Sequence, residues 1–269
     1  MLTAAVKEKL IAFVRDDVGK GDVTGALVPL ADCSAGIVAK KSCVLAGLEE
    51  AAFIFEKWGL DTEALERDGG RVRKGAVVMR VSGLNRKLYE TERVALNVMS
   101  RMSGVATECA KAAKKAAPVR VALTRKTTPG FAVFEKKAAV LGNALPHRAD
   151  LSEMVLLKKQ HVAAMGGITK AIMAAKNKHG VFEIETATVA EAVEAAKAGA
   201  PMIMLDNMGV AEAKKAILEI RKGGNATVEI SGGITLANLK KYAALRPEFI
   251  SMGSLTRDAR GIDFAMVMG

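Results

Sequence analysis

The sequence predicts an α/β barrel preceded by a smaller α+β layer, and three observations carry that reading. Short apolar runs alternate with helix-patterned segments through the second half of the chain, the pacing of a parallel sheet. Those runs are apolar nearly throughout, as strands buried on both faces are. No G-x-G-x-x-G follows an early strand, which weighs against a dinucleotide-binding sheet and favours a barrel.

In chain order, "CSAGIVAKKSCVLAG" (33–47) reads as short strands, "LEEAAFIFEKWG" (48–59) as a helix and "DGGRVRKGAVVMRVSG" (68–83) as a hairpin with glycine turns. "YETERVALNVMSRMSGVATECAKAAKKAA" (89–117) is one long helical stretch leading into the barrel. Barrel strands are expected at "RVALTRK" (120–126), "EMVLLKK" (153–159), "VFEIE" (181–185), "MIMLDN" (202–207), "VEISGG" (228–233) and "FISMGS" (249–254), with one more hidden near Ala138 to Leu145. Between them, Thr188 and Glu191 stand at capping-box spacing before an apolar face of Val189, Val193 and Ala196, and Gly199 suits the stop. A second helix runs from about Val210 to Lys222, closed by Gly223-Gly224, and "TLANLKKYAAL" (235–245) gives a short third. His179-Gly180 reads as a helix C-terminal cap, and "DDVGKGDVT" (16–24) as a turn at a domain or dimer junction.

Half of the 269 residues are hydrophobic and only 4% aromatic, so the core is built from Ala, Val, Leu, Ile and Met. The thirteen methionines fill it in place of aromatics. No run approaches 18 uncharged apolar residues and Met1 to Leu10 lacks a signal-peptide core, so a cytoplasmic protein is expected. Cys33, Cys43 and Cys109 have neither C-x-x-C spacing nor an even count, and are read as reduced structural thiols. The net charge of +11 is dispersed, its longest runs being pairs such as Lys114-Lys115, with no aromatic interleaving. That pattern fits a small anionic ligand better than nucleic acid or a membrane.

In a parallel barrel the C-terminal strand ends share one mouth. Here those ends carry Arg125 and Lys126, Lys158, Glu185, Asp206, Ser231-Gly232-Gly233 and Gly253. A Ser-Gly-Gly turn opening a helix offers backbone N–H groups to a phosphate. Glu185 and Asp206 suit a hydrated Mg²⁺ or ribose hydroxyls, or ion pairs with neighbouring lysines. Arg125, Lys126, Arg148 and Lys158, joined by His147, imply a substrate with several carboxylates or phosphates.

The motifs "DDVGKGDVT", "ERVALNVMSRMSGVAT", "TRKTTPG", "HRADLSEMVLLKKQH", "EIE", "LDNM", "SGGIT" and "ISMGSLT" run nearly end to end. Through them the chain resembles the quinolinate phosphoribosyltransferase family of type II phosphoribosyltransferases. The resemblance implies an open α/β barrel (109–269) with a smaller N-terminal α+β sandwich domain (1–108). It implies the Mg²⁺-dependent conversion of quinolinate and phosphoribosyl pyrophosphate into nicotinate mononucleotide, pyrophosphate and CO₂. It places the quinolinate carboxylates among Thr124, Arg125, Lys126, His147, Arg148 and Lys158, and brings Arg93 of "ERVALN" from the partner of a homodimer or higher oligomer. Lys126, Lys158, Glu185 and Asp206 carry the chemistry, the two acids also as metal ligands, and Ser231, Gly232, Gly233 and Gly253 hold the 5′-phosphate.

Three stretches depart from the family pattern. "LGNALPHR" replaces a glycine run, Lys158-Lys159-Gln160-His161 stands for Lys-Asp-Asn-His, and Thr256-Arg257-Asp258 for Thr-His-Ser. They admit two other readings: a divergent enzyme like the molybdenum-transport-associated paralogue ModD, acting on another aromatic acid, or a non-catalytic basic barrel that binds nucleic acid. Lys158 favours quinolinate over the first, and the retained set of charged mouth residues opposes the second.

Overall fold

The structure is a computed structural model that describes residues 1–178 and 180–269, so His179 lies outside the described residues. The chain forms two compact units: residues 1–110, 133–143 and 259–269, and residues 111–132 and 144–258.

The first unit opens with a helix that the sequence reading does not assign, α1 (Ala4–Val18). Thr3 caps it by accepting from the Val6 amide, Leu10, Ile11 and Val14 are buried, and Gly19 at φ 55° ends it. Asp22, within the expected "DDVGKGDVT" turn, spends Oδ1 on the Thr24 and Gly25 amides. Then follow β1 (Asp32–Ala39), β2 (Cys43–Val44), α2 (Leu48–Lys57), β3 (Asp61–Ala64), β4 (Arg71–Val72), β5 (Val77–Leu84) and α3 (Asn85–Ala116). The expected hairpin at 68–83 does not form. Its two strands diverge, β4 pairing with β2 and β5 pairing antiparallel with both β1 and β3. Helix α4 (Ala132–Leu141) lies almost wholly in this unit and occupies the first half of the stretch where a seventh barrel strand was expected. Strand β12 (Phe264–Met268) completes the antiparallel sheet in the order β12-β1-β5-β3. Charged groups pin α4 to the rest of the unit. Lys137 bonds Glu49 at 2.5 Å and Glu50 at 2.8 Å, and Arg101 bonds Glu135 at 2.6 Å and the Ala259 carbonyl at 2.8 Å.

The second unit holds β6 (Arg120–Ala122), β7 (Val155–Leu157), α5 (Lys159–Ala164), α6 (Ile168–Lys178), β8 (Phe182–Thr186), α7 (Val189–Lys197) and β9 (Met202–Asp206). It continues with α8 (Val210–Gly223), β10 (Thr227–Ser231), α9 (Leu239–Ala243), β11 (Phe249–Ser251) and α10 (Ser254–Arg257). All six expected strands are present in one parallel sheet ordered β6-β11-β10-β9-β8-β7. The seventh shrinks to Leu145, a single parallel bridge to Ala122 beyond β6, so Leu145 and β7 stand at the two ends of the series and the barrel is open between them. Helix α7 starts at the predicted cap, Thr188 Oγ1 accepting from the Glu191 amide at 3.1 Å, while the Glu191 carboxylate accepts from the Ala187 amide at 2.7 Å and so completes only half of a capping box.

Alternation along these strands builds the site. Ile184, Ile203, Leu205, Val228, Ile230 and Ile250 are fully buried in the apolar layers. Residues two apart point the same way, which aligns Glu183 with Glu185, Glu229 with Ser231, Met204 with Asp206 and Leu156 with Lys158. The second member of each pair is polar and falls within one residue of a strand end.

Candidate active site

At the strand ends of the second unit is a cavity of about 400 Å³. Thr124, Arg125, Lys126, His147, Arg148, Lys158, Glu185, Asp206, Ser231, Gly232 and Gly233 all line it, so the sequence-derived set converges. Gly253 lines an adjoining recess of about 60 Å³ with Thr124, Lys126, Ser231, Gly232, Gly233 and Arg257. Arg93 belongs to the first unit, on α3, with its side chain 63% exposed and 3.5 Å from Glu92.

The cation side is held by its backbone. The Lys126 amide donates to Thr124 Oγ1 at 3.0 Å, and Thr256 Oγ1 donates to the Lys126 carbonyl at 2.7 Å. A Cβ on Gly253 would come within 3.1 Å of the Lys126 side chain. Arg148 is buried, with Nη1 donating to the Met154 carbonyl at 3.0 Å. Its proton affinity is lowered by burial and then by the Arg125 guanidinium nearby. Two guanidiniums lining one cavity repel each other until an anion lies between them. Lys158 pairs with Glu185 at 3.1 Å, and His161 Nδ1 accepts from its amide at 3.0 Å.

On the other side, Asp206 accepts from Asn207 Nδ2 at 2.7 Å. Asn207 takes a left-handed φ of 57°, and its amide donates to the Ser231 carbonyl at 2.9 Å. Gly232 at φ 89° packs against it so closely that a Cβ would lie 2.4 Å from Asn207 Oδ1. The Ser-Gly-Gly turn does not open a helix directly, contrary to expectation. Asn238 intervenes, accepting from the Thr235 amide and donating to the Gly233 carbonyl, and α9 begins only at Leu239. The turn therefore offers its own amides and the Ser231 hydroxyl, while the helix end beside the same recess is that of the short α10, at Gly253 and Ser254.

Beneath the mouth lies a cluster that the sequence reading did not single out. His147 Nε2 stands 3.1 Å from Glu229 Oε2 and 3.6 Å from Glu183 Oε2, both acids being fully buried. Neither Glu183 oxygen has a hydrogen-bond partner. The three groups converge as metal ligands would. However, His147 Nδ1 accepts from the Arg148 amide at 2.8 Å, so the ring hydrogen sits on Nε2 and faces the carboxylates, where a ligand would present a lone pair. Burial pulls the imidazole's proton affinity down, yet Glu183 and Glu229 outweigh it and would hold a second proton up to about 9. That proton needs Nδ1, and enters only if the Arg148 amide turns away. Burial, foremost, pushes Glu229 up to about 7. Ser251 donates from its hydroxyl to Glu229 Oε1 and also lies 2.8 Å from Ser231 Oγ. The signal that could have found this cluster was an acid inside each of two otherwise apolar strands, "FEI" and "VEI".

Comparisons with known proteins agree with this geometry. Residues 22–103 match the quinolinate phosphoribosyl transferase N-terminal domain, and residues 104–267 match the C-terminal domain of the same family. The probable carboxylating nicotinate-nucleotide pyrophosphorylase of Archaeoglobus fulgidus is 37% identical over 253 residues, covering 91% of this chain and 97% of that protein. The human carboxylating nicotinate-nucleotide pyrophosphorylase is 38% identical over 240 residues, 86% of this chain and 81% of its own. Among solved structures, NadC from Streptococcus pyogenes superposes with a TM-score of 0.92 at 33% identity, covering 99% of this chain and 97% of that one. The Francisella tularensis nicotinate-nucleotide pyrophosphorylase reaches 0.94 at 27% identity, covering 100% and 98%. The chain belongs to the quinolinate phosphoribosyl transferase family.

Proposed function

We propose that this mouth transfers a phosphoribosyl group from phosphoribosyl pyrophosphate to quinolinate with loss of CO₂, giving nicotinate mononucleotide and pyrophosphate for NAD synthesis. The carrying observation is that Arg125, Lys126, Arg148 and Lys158 line one cavity opposite Glu185 and Asp206. A planar dicarboxylate satisfies the two guanidiniums bidentately, and the Ser231–Gly233 turn takes the 5′-phosphate. The pyridine nitrogen already carries a free lone pair, so the protein supplies orientation and charge rather than a general base. Lys126 and Lys158 stabilise the departing pyrophosphate, while Glu185 and Asp206 face the ribose as positive charge develops there. The positive charge of the N-ribosylated ring stabilises the electron pair left at C2 as the 2-carboxylate departs as CO₂, and a proton from water then forms the C2–H bond.

Glu185 and Asp206 fit a hydrated Mg²⁺: both are hard oxygen donors on neighbouring strands, with lysine and asparagine partners that a cation can displace. When bound, Mg²⁺ would neutralise pyrophosphate oxygens. The active unit is a homodimer in which Arg93 reaches the partner's mouth. The protein works in the cytoplasm. Consistent with that, no helix among the described residues is long and apolar enough to cross a membrane.

The test is turnover of quinolinate with phosphoribosyl pyrophosphate and Mg²⁺, following nicotinate mononucleotide. Arg125→Ala is expected to lower kcat/KM on the order of 10²-fold. Folded wild-type protein without turnover would overturn the assignment. For the dimer, mixing Arg93→Ala with Lys158→Ala protein should restore activity that neither variant has alone, because one hybrid site is then intact.

A further inference from the structure

The floor of the mouth holds a continuous line of polar contacts, with Glu229 and Ser251 buried and His147 and Ser231 half-buried. It runs from the Arg148 amide to His147 Nδ1, through the ring to Nε2 and Glu229 Oε2, and from Glu229 Oε1 through the Ser251 hydroxyl to Ser231. One end is a guanidinium residue on the dicarboxylate side. The other is the hydroxyl that opens the phosphate turn. Resting on the functional reading above, we propose that this line couples the two halves of the site, so that a phosphate on the Ser231 turn strengthens the grip of Arg148 on the dicarboxylate. Ser251 and Glu229 are then positioning residues that touch neither substrate's reacting atoms.

The moving part is a hydroxyl with a single hydrogen. Ser251 Oγ has two acceptors within reach, Glu229 Oε1 and Ser231 Oγ, and can serve fully only one. With the turn empty, Ser231 donates to Ser251 and Ser251 donates to Glu229. A phosphate is acceptor-rich and takes the Ser231 hydrogen. Ser231 then needs a donor, and Ser251 rotates to supply it. Glu229 loses one of its two donors and pulls harder on the Nε2 hydrogen of His147. Polarising the ring from that side makes Nδ1 a better acceptor, which holds the Arg148 amide and fixes where its side chain starts. No heavy atom moves far. Two hydrogen-bond orders replace each other, which gives the discrete pair of states that coupling requires.

His147 φ of 54° fits this role, since a residue without a glycine's freedom stays left-handed only when its surroundings hold it there. Both ring nitrogens are already engaged within the protein, which makes His147 a strut for Arg148 rather than a direct ligand of the substrate.

Calorimetric titration at pH 8 with two non-reacting probes tests the proposal. Phthalate stands in for the dicarboxylate without its nucleophilic nitrogen, and ribose 5-phosphate fills the turn. Wild-type protein should bind phthalate about fivefold or more tightly when ribose 5-phosphate is saturating. Ser251→Ala and, independently, Glu229→Gln should abolish that gain while each probe still binds alone. Tyr242→Phe should keep it, because that hydroxyl bonds the Met208 carbonyl and stands outside the line. A merely structural role would weaken each probe and leave the ratio unchanged. Coupling that survives in both Ser251→Ala and Glu229→Gln overturns the proposal, as does a wild-type ratio of one. If that wild-type protein still turns over quinolinate, the functional reading stands and only the coupling falls. Absence of both turnover and probe binding removes both.

Discussion

Arg148 and Arg125 line one cavity as a like-charged pair, and the turn proposed for the phosphate is preset in its backbone. At Gly232, φ is 89° and Asn207 occupies the space a side chain would need. Gly232→Ala is therefore expected to cost about 1–3 kcal/mol of stability and to raise KM for phosphoribosyl pyrophosphate more than KM for quinolinate. Chemical denaturation and initial-rate kinetics read the two effects separately. The cysteines behave as burial dictates. Cys43 is pushed up to about 11 and Cys109 to about 12, Cys33 is raised by burial and then by Asp32, and none is disulfide-bonded. Iodoacetamide at pH 7.5 should leave Cys43 and Cys109 unmodified in folded protein and modify both in denaturant. Glu229 gives a pH dependence of defined sign. Its folded value near 7 lies above the ordinary 4.5, so its contribution to stability is fully present below 4.5 and is lost as pH rises through 7. Urea titrations at pH 4.5, 5.5 and 7.5 should show less of that loss in Glu229→Gln. The charged mouth residues were legible because each follows an apolar run. Glu183 and Glu229 were not, because what makes an acid inside a strand functional is the His147 ring opposite, brought there from another part of the chain.

The elements show where local pattern suffices and where pairing decides. All six parallel strands and helices α7 and α8 lie where apolar runs, caps and stop glycines put them. The supposed hairpin at 68–83 fails because glycine turns are compatible with any reversal, and only partner strands determine which one forms; β4 and β5 find different partners. The stretch before Leu145 carries apolar residues that suit a strand or a helix equally, and α4 wins with Phe134, Ala138 and Ala139 buried. Strand β12 was invisible because its partners lie more than two hundred positions earlier. Helix α3 meets such distant chain closely at Gly104, where a Cβ would lie 2.3 Å from the Arg260 carbonyl. Gly104→Ala should cost about 1–3 kcal/mol through overpacking, visible as a lowered denaturation midpoint, whereas a side chain added at exposed Gly180 meets nothing within 4 Å.

For the whole molecule, the net charge of +11 means self-repulsion in the folded state and attraction for polyanionic ligands. Quinolinate at a hundred times its wild-type Kd should stabilise the fold by about 2.7 kcal/mol, and Arg125→Ala should reduce that gain at the same concentration in a thermal-shift titration. Both units were legible in outline, the α+β layer from its short strands and the barrel from its rhythm. The partition was less so, because residues 133–143 and 259–269 join a unit whose other residues all precede them. That interleaving has a consequence for biosynthesis. As the chain leaves the ribosome, the whole of the barrel unit is made before β12, the strand that covers the outer edge of β1. Until then β1 waits with one row of backbone groups unpaired, an edge open to pairing with other chains. Translation thus sets a window in which the nascent protein is most exposed to aggregation, and it closes only when the last strand arrives.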